Sequence, residues 1–333
     1  MANSLHQSLL TLDSHVDIPW PEAEDPFGET SRCLDIPKMR AGGLAAVCLV
    51  AYVPQGKLDE AGYQAATDRA LAMLETINQI GHNHAARLTP TTDEIVKAAG
   101  EGFPAIVPVV ENGHAIGVDL ANIARFRALG ARYVTLTHNG HNALADSAVP
   151  RRDLGDEATL HGGLSELGRA AIVEMNRLGV VVDVSHTSRA AMLESVALSA
   201  FPVVASHSCV RALCNHPRNL DDTQLDALAA SGGVVQITAV PYFVRRGGSV
   251  HDTNIGHFCD HIEYVVRRIG VEHVGIGSDF DGGGELADWR DVSQSGNVTA
   301  ELLARGFDEE AIAKVWGGNF MRVLRASEER LHQ

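Results

Sequence analysis

TLDSHVDIPW, residues 11–20, opens as a buried strand and closes on His15 and Asp17, two positions apart. Side chains alternate along an extended chain, so residues i and i+2 face the same way. An imidazole and a carboxylate therefore leave one strand end together. The segment decides the fold because its pattern, an apolar run closed by a metal-capable or ionisable residue, recurs along the chain.

Including this first run (9–17), eight β-rich stretches appear in order. The others are LAAVCLVAYV (44–53), AIVPVVE (105–111), YVTLTH (133–138), VVVDVSH (180–186), PVVASH (202–207), GVVQITAV (233–240) and HVGIGSD (273–279). Helix-period segments fill most gaps, among them EAGYQAATDRALAMLETINQI, LSELGRAAIVEMNRLG and NIGHFCDHIEYVVRRIG. The last two end on Gly179 and Gly270, the residue type that commonly follows a helix. Strands alternating with helices predict a parallel sheet. Eight of them predict an α/β fold of the (β/α)8 barrel type, with an open doubly wound sheet as the alternative. One domain over 1–333 is expected, with active-site loops at 18–43 and 139–163. The final segment DEEAIAKVWGGNFMRVLRASEERL is expected to complete the outer ring of helices.

Bulk properties narrow the function. The 333 residues carry 27 Lys and Arg against 42 Asp and Glu, a net charge of −15, which argues against nucleic acid as a partner. No basic leader with a long apolar core and no run of about 18 apolar residues is seen, so no membrane association is expected. Five scattered cysteines fit reduced thiols in a cytoplasm better than a disulfide framework.

Six of the eight runs finish on a metal-capable or ionisable residue: His15 with Asp17, Glu111, His138, His186, His207 and Asp279. In a barrel the C-terminal strand ends meet at one face, where active sites are built. A lone histidine there is usually structural, and a lone Asp is often a helix N-cap. The set is what carries meaning. Three imidazoles and two carboxylates drawn from such a set suit zinc or a similar divalent ion. Five ligands exceed one open tetrahedral site and fit two metals sharing a bridging carboxylate and water. His114 and His141 follow strands 3 and 4 and stay open as site residues, whereas other histidines fall in helices or loops.

The stretches HVDIPW, DIPKMRAGG, VENGHAIG, RYVTLTHNG, GVVVDVSHTS, SHSCVRALCNHPRNLDD, GIGSDFDG and GGNFMRVL, in order from about residue 10 to 326, resemble the membrane (renal-type) dipeptidase family, metallopeptidase family M19, a branch of the amidohydrolase-like barrels. The resemblance implies two Zn2+ per chain. His15 and Asp17 would bind one, His186 and His207 the other, with Glu111 bridging. It implies that His138 contacts the substrate and steadies the oxyanion, that Arg218 binds the substrate carboxylate, and that Asp279 stands near the bridging water and the substrate amine. Asp281 competes for that last role but lies two residues further out. Arg218 also has a plainer reading, a surface ion pair with Asp221 or Asp222. Tyr242, after strand 7, is a candidate to line the pocket.

The implied activity is hydrolysis of L-Xaa-Xaa dipeptides, with a C-terminal D residue as an open variant. Other readings are a hydrolase of N-acyl amino acids, lactams or lactones on the same binuclear site, a metal-binding protein without catalysis, and a metal-dependent nuclease. Animal members of the family are secreted and lipid-anchored, whereas this chain lacks a leader and ends in charged ASEERLHQ, so a soluble, cytoplasmic form is expected. Homodimers are common among barrels, but no segment specifies an interface.

Overall fold

A computed structural model describes residues 2–19 and 24–329. Eight strands run parallel and pair in chain order: β1 (Leu12–Asp17), β2 (Ala46–Tyr52), β3 (Ala105–Glu111), β4 (Tyr133–Thr135), β5 (Val181–Asp183), β6 (Val204–Ser208), β7 (Val234–Ile237) and β8 (Val274–Ile276). Helices alternate with them, as in a (β/α)8 barrel. A two-residue strand, Arg87–Leu88, adds to the outside of β3 and is too short to leave a periodic signal. β8 and β1 close the ring beyond the end of β8. There the Asp279 amide donates to the His15 carbonyl (3.0 Å) and the Asp17 amide to the Phe280 carbonyl (3.0 Å). The barrel is thus sealed at its C-terminal rim, beside the residues the sequence singles out.

Several strands stop short of the predicted runs because side chains take over the backbone donors. At the end of β5 the Asp183 carboxylate accepts from the Ser185 amide (3.0 Å) and from the Ser206 amide of β6 (2.9 Å). Asp13 does the same for the amides of His15 (3.1 Å) and Ser278 (2.9 Å). Where these aspartates act, β1 slips register between Asp13 and Val16, and β6 between Ala205 and Ser208. Each slip is a β-bulge, the feature that bends a strand and re-aims a side chain.

The barrel interior has an apolar lower part and a polar upper part. Alternate residues of the strands, such as Ala46, Cys48 and Val50 of β2 and Ala105, Val107 and Val109 of β3, form one buried cluster with Phe320, Val323 and Leu324. The helix Asn319–Glu329 therefore plugs the bottom of the barrel, and the expectation that this segment completes the outer ring is corrected. Its apolar face is drawn inward because each of those three side chains contributes about 2 kcal/mol when buried. A π-helical turn, Lys314–Gly318, precedes it. A Cβ on Gly317 would stand 2.3 Å from the Leu10 carbonyl, so glycine lets the helix reach the start of β1. Arg132, buried at this end, is held by Glu328 (2.7 Å) and Ser327 (3.0 Å) of the plug.

No helix among the described residues is long and apolar enough to cross a membrane. The segment 18–43 is not all loop, since Ile36–Gly42 is helical behind an Asp35 cap; residues 20–23 lie outside the described residues.

Gly277 follows β8 beside the seam: a Cβ there would stand 2.0 Å from the Ser206 carbonyl and 2.6 Å from Ser14 Oγ. Gly277→Ala should destabilise the protein by about 3 kcal/mol, because the obstruction is backbone. A urea midpoint equal to that of the parent would contradict this account of closure.

Candidate metal centre

Glu111 stands at the middle of the rim. Its Oε1 lies 3.1 Å from His186 Nε2 and 3.4 Å from His207 Nε2, and its Oε2 lies 3.6 Å from His15 Nε2. The Nε2 atoms of His186 and His207 are 2.9 Å apart. Asp279 approaches from β8, with Oδ1 4.0 Å from His15 Nε2. Asp17 and Asp279 lie against the same glycine, since a Cβ on Gly282 would meet Asp279 Oδ1 at 2.3 Å and Asp17 Oδ2 at 2.7 Å. Two groups have donor atoms within 4.8 Å of one another: His15, Glu111 and His207, and Glu111, His138 and His186. Glu111 belongs to both, but His207 falls with His15 and His138 joins His186, a different division from the one the family resemblance implies. By carboxylate oxygen, however, His186 and His207 both lie on Oε1 and His15 on Oε2.

Backbone irregularity aims these groups. His15 and His207 lie in the two bulges, and four non-glycine residues among those described have a left-handed backbone: Asn112 (φ 84°), His186 (φ 66°), Asp279 (φ 64°) and Asp281 (φ 63°). Such conformations cost on the order of 1–3 kcal/mol each and persist only when the surroundings hold them. At His186 the carbonyl accepts from the Ala148 amide (2.7 Å), while the neighbouring Ser147 hydroxyl donates to the His138 carbonyl (2.5 Å). The 139–163 loop thus clamps both histidines. It is itself knitted together by Asp146, whose carboxylate accepts from the amides of Leu160, His161, Gly162 and Gly163. His141 belongs to this scaffold, accepting from the Ser147 amide (3.0 Å). His114 packs on Tyr63 and stands outside both donor groups.

The partners of Nδ1 set the tautomers. Tyr133 donates its hydroxyl to the Ser14 carbonyl (2.9 Å), so at 2.8 Å from His15 it accepts the Nδ1 proton. His186 Nδ1 faces Asn139 Oδ1 (3.2 Å), an acceptor. His207 Nδ1 faces Ser206 Oγ (2.9 Å), whose own proton goes to Asp183 (2.6 Å). All three rings then present bare Nε2 lone pairs to a carboxylate. Among the described residues, His15 Nε2 and Asp17 Oδ1 are buried without a hydrogen-bond partner. Such a set of lone pairs fits a divalent cation of zinc type.

Charge crowding points the same way. Burial opposes the His15 imidazolium, yet Glu111, Asp279 and Asp17 outweigh it and push His15 up to about 9. Burial and the Glu111 charge hold Asp17 well above the usual carboxylate range. Burial lifts Asp279 to about 7 against the pull of His15. Burial is opposed at Glu111 by His15 and His186, which keep it well below its ordinary value. Burial depresses His186 with help from Arg218, and His207 with help from His15.

Comparison with known proteins places the chain. The sequence profile of the family described as membrane dipeptidase (peptidase family M19) matches residues 1–333. The chain belongs to this family. It is 35% identical over 337 residues to the dipeptidase verJ of Clonostachys rogersoniana, covering 96% of this chain and 84% of that one. The crystal structure of the probable dipeptidase PvdM from Pseudomonas aeruginosa is similar at a TM-score of 0.93, with 28% identity over 99% of this chain and 98% of that one. A metallopeptidase of Rhodobacter sphaeroides, solved with a phosphinate mimic of the dipeptide L-Ala-D-Ala, is similar at a TM-score of 0.85, with 26% identity over 96% and 99% of the two chains. Membership of a metallopeptidase family implies a metal.

Within this dipeptidase-family barrel, Arg218 is 3% exposed. Its guanidinium donates to the His207 carbonyl (3.2 Å), its Nε has no partner, and it makes no ion pair among the described residues. The surface pairing does not occur: Asp221 bonds Arg189 (2.7 Å), and Asp222 bonds Tyr264 (2.7 Å) and Arg268 (3.3 Å). Tyr242 is half exposed and stacks edge-on against Phe243, over which Arg218 also lies. Tyr52 is a neighbour that sequence reasoning missed. It packs edge-on against His138 at 4.9 Å and pairs with Glu111 in register. The signal was the alternation Ala46, Cys48, Val50, Tyr52. A second missed signal is the dipeptide Ser-His at 14–15, 185–186 and 206–207, of which the Ser206 hydroxyl meets the rings of His207 (2.9 Å) and His15 (3.3 Å).

Asp279 and Asp281 differ in employment. Asp281 accepts from the amides of Cys33 (2.9 Å) and Leu34 (3.2 Å) and pairs with Arg32 (3.4 Å), pinning the 30–34 segment to β8. Asp281→Ala should therefore increase proteolytic cleavage between residues 24 and 35 while Asp279→Ala leaves it unchanged. Equal cleavage in the two variants would remove the distinction.

Proposed function

We propose that the protein is a zinc-dependent dipeptidase, with two ions per chain, that hydrolyses the peptide bond of L-Xaa-Xaa dipeptides. The observation that carries the reading is the buried, unpaired Arg218 beside a convergent set of metal-type donors, in a chain of the M19 family. A guanidinium without a carboxylate partner inside a negatively charged protein calls for an anion from outside. The C-terminal carboxylate of a short peptide is the one this site would meet.

In this reading His15, Asp17, Glu111, His186 and His207 hold the metal. Bound there, the ions supply Lewis acidity and a water acidic enough to ionise near neutral pH. Glu111, kept charged by its imidazole neighbours, presents one oxygen to each side. Arg218 receives the substrate carboxylate through its planar fork, which favours exopeptidase-like selection of short substrates. His138, neutral because burial lowers its pKa, donates to the carbonyl oxygen as that oxygen gains charge. Loss of one such donor costs about 10²–10³ in rate. Asp279, lifted towards neutrality, takes a proton from the attacking water and returns it to the leaving amine. Tyr242 lines the approach, and the 18–43 and 139–163 segments wall a single catalytic domain. The ligand mimic bound by the Rhodobacter sphaeroides relative makes L,D-dipeptides worth testing beside L,L-dipeptides.

Glu111→Gln should remove most activity and reduce the metal content measured by elemental analysis. Two metals per chain with normal turnover would contradict the bridging role. Arg218→Ala should weaken free dipeptides far more than C-terminally amidated ones. Equal losses of kcat/KM for both would reject the carboxylate clamp.

A further inference from the structure

Beneath the metal-type donors lies a buried polar pair, Asp183 and Ser206. Asp183 ends β5 and is fully buried. One carboxylate oxygen accepts from the amides of Ser185 (3.0 Å) and Ser206 (2.9 Å), and the other from the hydroxyls of Thr135 (2.5 Å) and Ser206 (2.6 Å). With four donors directed at it, Asp183 can only accept. The Ser206 hydroxyl must therefore spend its single proton on Asp183, and at 2.9 Å from His207 Nδ1 it can only accept there. The opposite tautomer of His207 would set a bare Nδ1 against a hydroxyl whose proton already points elsewhere.

We propose that Asp183, acting through Ser206, is a positioning pair that fixes His207 with its proton on Nδ1 and its Nε2 lone pair toward Glu111. The inference rests on the metal-centre reading given above, and it concerns residues that touch neither substrate nor metal. The bulge in β6 gives the pair a second effect: the same carboxylate that orders the hydroxyl also holds the Ser206 amide out of the ladder. Ring orientation and proton position are set together.

A near-isosteric change separates this role from mere packing. In Asp183→Asn the oxygen must stay with the two amides, so the new NH2 group faces Ser206 Oγ and Thr135 Oγ1. The Ser206 hydroxyl then becomes an acceptor from that NH2, and its proton is free to turn to His207 Nδ1. His207 is driven to the Nε2-protonated form, which cannot bind a metal until it rearranges.

The test uses the full chain, stripped of metal and titrated with chelator-buffered Zn2+. Wild type, Ser206→Ala, Ser206→Thr and Asp183→Asn are compared, and metal-free melting temperatures are recorded beside the affinities. Loss of an outer partner of a ligating histidine typically costs 10–100-fold in metal affinity. Ser206→Ala and Asp183→Asn should each show a loss in that range, and Ser206→Thr should recover most of it. In ¹⁵N-histidine spectra of metal-free protein, Asp183→Asn should move the His207 proton from Nδ1 to Nε2. Wild-type zinc affinity in both Ser206→Ala and Asp183→Asn would overturn the proposal. So would a loss that Ser206→Thr does not restore and that tracks a falling metal-free melting temperature with no change of tautomer. A wild-type chain that takes up no zinc would be a separate outcome, defeating the metal reading itself and the inference with it.

Discussion

The structure depends on one electrostatic constraint: lone pairs from His15, His186 and His207 are pressed around the carboxylate of Glu111, with Asp17 and Asp279 close behind. Such a gathering is repulsive in a buried place unless something positive sits in its midst. With only protons to serve, His15 is forced to hold one at a pH where a histidine is ordinarily neutral. A divalent ion of zinc type would meet the same demand. The rest of the architecture can be understood as the means of forcing these groups together.

That force comes from departures from regular structure. A perfect barrel would aim its residues by strict alternation. Here, among the described residues, two strands bulge and four non-glycine residues turn left-handed, all near the C-terminal rim. Buried aspartates stabilise the irregular stretches from below, Asp13 for β1 and Asp183 for β6. The 139–163 segment stabilises them from above, through Ser147 and Ala148. The distortion sits where chemistry needs it, and ordinary hydrogen bonds compensate for it.

Much of this was legible in the sequence. Eight apolar runs alternating with helix-period segments indicate the parallel barrel, because each run must be buried on both faces. The polar residues closing those runs mark one rim, because parallel strands all end on the same side. The sequence could not show where strands stop, since the stop is decided by side chains reaching across to another strand, as Asp183 reaches Ser206. It also left Tyr52 unnoticed, because a tyrosine after alternating apolar residues looks like core. The plugging helix was misplaced for a related reason: an amphipathic stripe shows that one face is buried and leaves open against what. Arg218 was ambiguous in the sequence because Asp221 and Asp222 stand three and four positions on. The fold gives those aspartates to Arg189, Arg268 and Tyr264 instead.

The plug at the base of the barrel has a consequence for how the molecule is made. Phe320, Val323 and Leu324 complete a core whose other walls begin at Leu12, so the floor is laid after every stave is in place. Until those residues leave the ribosome, the chain lacks the side chains that cover the inward-facing valines of the lower barrel. Final consolidation must wait until residues beyond 320 emerge.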